Sequence, residues 1–171
     1  LRGFAQLHRQ LPAHFPRWRR TAFLAGLATL AVALLSPLDG LADLLLQAHM
    51  AQHWLLMGVV APLLWLGAPI VPLLRGLPRR WLRRGLGPFL AWGLLRRALH
   101  VLTRPRTTGA LWALTLLVWH WPPAYQAALR APFWHDLQHA CFLAAGLLFW
   151  YPLIEPWPAR RSRERAGLLL Y

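Results

Sequence analysis

Residues 44–66 read LLLQAHMAQHWLLMGVVAPLLWL, an apolar run with no Asp, Glu, Lys or Arg. A helix crossing the hydrocarbon core of a bilayer needs about 20 mostly apolar residues. The run therefore reads as a membrane span. Its polar landmarks, His49 and His53, are four residues apart and project from one helix face. Pro62 is expected to kink the far end. Three further stretches read as spans: 21–38, ending at Ser36-Pro37; 107–121, which is short and stopped by Pro122-Pro123; and 134–154. Residues 166–171 read as the opening of another span, and with Leu1 in place of an initiator Met the chain reads as a fragment of a larger bundle. Nothing near the start has the shape of a cleavable signal peptide, and no internal repeat is read.

Composition agrees with a membrane protein. Of 171 residues, 57% are hydrophobic and 14% charged, whereas soluble domains average about 25% charged. So little polar surface cannot cover a water-soluble globule, and so much apolar content excludes disorder. One cysteine, Cys141, excludes a disulfide scaffold; it reads as a small buried apolar residue.

The net charge of +14 comes from nineteen Arg against five acids. Such a balance raises nucleic acid as a partner, and the placement of the Arg residues decides against it. Basic loops favour the cytoplasmic side. With the N-terminal arm inside, four spans put Arg2, Arg9, Arg17, Arg19 and Arg20, the nine Arg of 75–106, and Arg160, Arg161, Arg163 and Arg165 on that side. Only Arg130 falls outside, with Asp39, Asp43 and Asp136 in the outer loops. Residues 75–106 read as a basic cytoplasmic loop with an interfacial helix anchored by Trp81 and Trp92. The longest uncharged run there, 85–95, would make a helix of only about 16 Å.

In this orientation five histidines share the outer half of the bilayer: His49 and His53, His120 at the end of the third span, and His135 and His139 at the start of the fourth. His100 lies on the basic side, solvated. Each H-x-x-x-H pair can chelate one metal. Met57 continues the 49, 53 stripe with a thioether suited to Cu(I), and Met50 is a further soft donor. Asp136 beside the second pair is placed to orient an imidazole, while Asp39 and Asp43 stand at the mouth. Plainer readings compete. A lone intramembrane His is often packing glue, Met is often core, and Trp119, Trp121 and Trp134 outside, like Trp150 and Trp157 inside, read as belt anchors. Five histidines at one depth favour a shared metal site, because polar groups there are costly.

No C-x-x-C, Walker loop, G-x-G-x-x-G or obvious Ser/His/Asp set is present, and every acid lies at a rim. No enzyme activity is expected. A His-rich, carboxylate-poor site favours copper or haem over a di-iron carboxylate centre.

The run His49-Met-Ala-Gln-His53-Trp-Leu-Leu-Met57, continuing through Ala61-Pro62-Leu63-Leu64 and Leu66-Gly67-Ala68-Pro69, resembles the polytopic CtaG family of cytochrome c oxidase assembly proteins. So do Ser36-Pro37-Leu38-Asp39, Trp119-His120-Trp121-Pro122 with Tyr125, then His135, His139 and Gly146-Leu147-Leu148-Phe149-Trp150. The match runs from about Phe23 to Pro156. It implies a multi-pass protein of the bacterial plasma membrane that helps to build a haem–copper oxidase, with a copper-handling role inferred for the family. Members of the family have about seven spans, so this chain is shorter at both ends.

The expectation is an all-α polytopic transmembrane bundle, forming one domain over 1–171, that binds copper on the outer side and meets lipid and oxidase subunits rather than nucleic acid. Zinc remains an alternative metal. A bis-His b-type haem protein and a His-rich membrane hydroxylase are competing readings. H-x-x-x-H pairs on one helix suit a small ion better than haem, and the chain lacks the adjacent His pairs that such hydroxylases tend to use.

Overall fold

Two helices are long and apolar enough to cross a membrane, Arg17–Leu35 and Pro132–Ile154. A third crossing is made if the bent pair Leu46–Leu66 and Ile70–Gly76 counts as one span. The structure, a computed structural model, describes residues 2–42 and 44–157, and no strand occurs among them. The expected span at 107–121 forms as helix Pro105–His120. Its sixteen residues give a length of only about 24 Å, short of the roughly 30 Å hydrocarbon core. Asp43, the Arg cluster at 160–165 and the apolar stretch 166–171 lie outside the described residues.

The helices come in two similar units. Arg17–Leu35, the short helix Pro37–Ala42 and Leu46–Leu66 form the first; Pro105–His120, the short helix Pro122–Arg130 and Pro132–Ile154 form the second. In each unit a proline opens the short helix, at the position where the N–H has no partner within that helix. The stretch 122–131 is thus helical and not an open loop. Leu46–Leu66 packs against Pro132–Ile154, and each is flanked by the long helix of its own unit. The two core helices also end alike, at a left-handed residue followed by proline: Ala68 (φ 46°) before Pro69, and Glu155 (φ 45°) before Pro156. The left-handed turn stops the helix, and the proline cannot continue it. The sharp bend of 63° accordingly falls between Leu66 and Ile70, beyond Pro62.

Residues 55–60 form a π-helical turn, and the Ala61 N–H reaches back to the Leu56 carbonyl. Such turns are rare and mostly single inserts in α-helices. Here the insert begins two residues after His53 and sets the phase of Met57. Gly146 makes the crossing of the two core helices close, since a Cβ there would lie 2.9 Å from Met57 Cα and 3.1 Å from its carbonyl oxygen. A mixed core of Met57, Trp119, Ala128, Phe142 and Ala145 fills the space between the helices. Trp119 is therefore a core residue, 8% exposed, and not an outer belt anchor. The aromatic ring fills volume that neighbouring helices enclose, and this outweighs its place near a helix end. Trp121 and Trp134 stay exposed, while Cys141 packs partly buried against the same core.

On the arm side, helix Arg2–Gln10 packs across Ile70–Gly76, and Leu7, Phe15 and Ala68 form a second buried cluster against which Trp157 packs. Residues 79–102 form a string of short helical pieces. Trp81 and Trp92 are exposed there, as is His100.

Candidate metal centre

Both core helices bury one stripe, and the stripes face each other. On the first the buried positions are His49, Gln52, His53, Leu56, Met57 and Val60; on the second they are Gln138, His139, Phe142, Ala145 and Gly146. Positions at i, i+3, i+4 and i+7 share a helix face, so the histidines are carried to the contact surface by the spacing alone. Both helices carry the same pattern at this contact, H-x-x-Q-H, at 49–53 and at 135–139. With the repeated helix order, this is an internal repeat that no repeat reading of the sequence found. The glutamines were the available signal.

The imidazoles converge. His49 and His53 ring centroids are 4.3 Å apart, as are those of His135 and His139; across the interface His49 lies 5.4 Å from His135 and His53 lies 5.5 Å from His139. The ligand atoms of His49, His53 and His139, all buried, lie within 4.8 Å of one another. A second group with the same closeness is Asp39, His135 and His139. His139 belongs to both.

The other expected residues stand around this cluster. His120 is exposed, 6.4 Å from His53 between centroids. Its Nδ1 is 2.8 Å from the Leu116 carbonyl; a carbonyl only accepts, so Nδ1 donates, and Nε2 is the nitrogen left to meet a cation. That is how a ligating imidazole is usually oriented. Met57 lies in the apolar floor with Phe142, whose ring is 4.2 Å from His53. Met50 is half-buried, and Asp136 is exposed and outside both ligand groups. Tyr125, from the short helix of the second unit, places its ring 6.1 Å from His49.

Asp39 is held in place by Gln52, a residue absent from the expected site. Gln52 Nε2 donates to Asp39 Oδ1 at 2.9 Å and to the Ala33 carbonyl at 2.8 Å. Ala33 needs that donor: its helical partner would be residue 37, and Pro37 has no N–H. The proline that starts the short helix thus also fixes the amide that holds the carboxylate.

Whether the donors fit a cation is tested by what they lack. His53 is 5% exposed and neither ring nitrogen has a hydrogen-bond partner; His139 Nε2 is likewise buried and unpartnered. Each such group costs about 1–3 kcal/mol, and native interiors rarely leave them unmade. A cation accepting these lone pairs removes the cost. Imidazoles with one carboxylate suit copper or zinc.

A family model described as cytochrome c oxidase caa3 assembly factor matches residues 1–171. Uncharacterized proteins of Mycobacterium bovis and Mycobacterium tuberculosis are each 31% identical over 172 residues, covering 98% of this chain and 26% of the relative. One from Mycobacterium leprae is 27% identical over the same length and coverage. The chain spans about a quarter of the length of these curated relatives. No solved structure matches. With the family model matched along the whole chain, the protein belongs to the caa3 cytochrome c oxidase assembly factor family.

Proposed function

We propose that this chain forms the copper-holding part of an oxidase assembly factor, taking the ion on the outer side of a bacterial plasma membrane and passing it to a haem–copper oxidase subunit. The observation that carries the reading is the buried His53 and His139 pair, in which both His53 ring nitrogens and His139 Nε2 lack hydrogen-bond partners, within a cluster of five convergent imidazoles. His49, His53 and His139 are the principal ligands, with His135 and His120 completing the cluster. Met57 supplies a soft sulfur from the floor. Cu(I) accepts few, soft donors, so such a set binds the ion and can still release it. The role is non-catalytic.

The ring packing supports an ion rather than haem. A macrocycle between His49 and His139 would need the space taken by His53 and His135, whose rings lie 4.3 Å from these two.

The Arg distribution supports four crossings, with the arm, residues 75–106 and the Arg cluster after Trp157 in the cytoplasm and the short helices Pro37–Ala42 and Pro122–Arg130 outside. On this reading Pro105–His120 is the shortest crossing, a length met by local bilayer thinning.

In cells lacking the native gene, the full protein with His53→Ala and His139→Ala should reach the membrane in normal amount yet leave oxidase activity and oxidase copper low. Normal copper-loaded oxidase in that strain would contradict the proposal.

A further inference from the structure

The two groups of ligand atoms differ in burial and in charge. His49, His53 and His139 are all buried and neutral when ligating; Asp39 and His135 are only partly buried, and Asp39 brings a carboxylate. Asp39 sits on the short helix Pro37–Ala42, and His135 lies one turn nearer than His139 to the start of its helix. The carboxylate is not free to swing, because Gln52, fully buried between His49 and His53, donates to it at 2.9 Å while its second hydrogen is taken by Ala33 at 2.8 Å.

We propose that the cation occupies two successive positions pivoting on His139: an outer receiving position made by Asp39, His135 and His139, and an inner holding position made by His49, His53 and His139, with Gln52 positioning the Asp39 carboxylate. This deepens the metal-handling reading and rests on it. A charged oxygen at the mouth attracts a hydrated cation from water, whereas three imidazoles in a dry pocket favour a softer, dehydrated one. His139 stays bound while Asp39 and His135 are exchanged for His49 and His53, so the ion never loses all its ligands at once. No electron moves and no covalent bond of the protein changes. The H-x-x-Q-H repeat explains the pair of positions: each unit contributes one chelating pair, and the short helix of the first adds the carboxylate.

The test uses the full chain purified in detergent, with Cu(I) supplied as its cationic acetonitrile complex, uptake and release followed by timed capture of the unbound ion with bicinchoninate, and equilibrium affinity measured by competition. Opposite charges lining a cleft raise association rates by about 10- to 1,000-fold, so Asp39→Asn should slow uptake by about tenfold or more; the ion leaves through the same outer position, so release slows with it and equilibrium affinity changes far less than the rates. Gln52→Leu should give the same kinetic pattern, which covers the case that one variant fails to fold. His53→Ala should instead weaken equilibrium affinity strongly. A loss of equilibrium affinity in Asp39→Asn as large as in His53→Ala would overturn two positions in favour of one centre. Wild-type rates in both mouth variants would place that group outside the path and overturn the proposal as well. No Cu(I) binding by the wild type would overturn the metal reading itself, an outcome visible before any variant is compared.

Discussion

Trp150 Nε1 donates to the Met57 carbonyl at 2.9 Å, across the contact between the two core helices. The bond answers a vacancy created by the sequence. In the π-helical turn 55–60 the Ala61 N–H is taken by Leu56, and the next donor in that register would be residue 62, which is proline. Met57 is left without a helical partner, and the indole supplies one. Trp65 makes the reverse connection, donating to the Leu147 carbonyl at 2.7 Å. Trp150→Phe should therefore leave a buried carbonyl unpaired and destabilise the protein by about 1–3 kcal/mol. Pro62→Ala restores an N–H at that register, so the loss should shrink in the Pro62→Ala background. Thermal unfolding of the four proteins of this double-mutant cycle measures the coupling; strictly additive effects would refute the link.

Gly146 sets how closely the histidine-bearing helices approach. Any Cβ there meets Met57 backbone atoms at 2.9 and 3.1 Å and Ala61 Cβ at 3.2 Å, none of which can yield by a rotamer change. Gly146→Ala should destabilise by about 1–3 kcal/mol, with weaker metal binding as the helices separate. Gly93→Ala is the control: open space surrounds that position at the start of a helix, and Ala is the better helix former by about 1 kcal/mol. A stable Gly146→Ala protein would show that the crossing is looser than the structure has it.

Sidedness is checked by labelling. In a Cys141→Ala background, a cysteine at exposed Gln126 should react with an impermeant maleimide added to intact cells, and one at exposed Arg97 only after permeabilisation. The expectation follows from the Arg distribution, and the reversed pattern would place the histidine cluster on the cytoplasmic side.

The floor residue carries a prediction about metal preference. Met57→Leu conserves volume in the packed core but removes the thioether, so Cu(I) affinity should fall more than Zn(II) affinity. Equal losses would assign Met57 to packing alone. Asp136→Asn should slow Cu(I) uptake less than Asp39→Asn, since Asp136 is exposed and stands outside both ligand groups.

Much of this arrangement was legible in the letters. Apolar runs mark the helices because a bilayer needs them, and five histidines stand out because polar groups are rare there. Other features were not legible, for physical reasons. Asp136 adjoins His135 in sequence, yet neighbours on a helix point about 100° apart; Asp39 reaches the cluster only through the packing of a short helix and the Gln52 amide. The burial of Trp119 depends on which helices enclose it. The π-helical turn after Trp54 has no propensity signature, and Pro62 beyond it reads first as a kink. Gln52 and Gln138 were readable as a repeated pattern, but neutral amides draw less notice than charges and imidazoles.

Metal binding by the purified full chain tests the central claim most directly. Titrated with Cu(I) in the presence of a competing chelator, the wild type should bind the ion stoichiometrically. The His53→Ala/His139→Ala double variant, with unchanged helix content, should bind it far more weakly. Equal binding by the two proteins would contradict the assignment of these buried imidazoles as ligands.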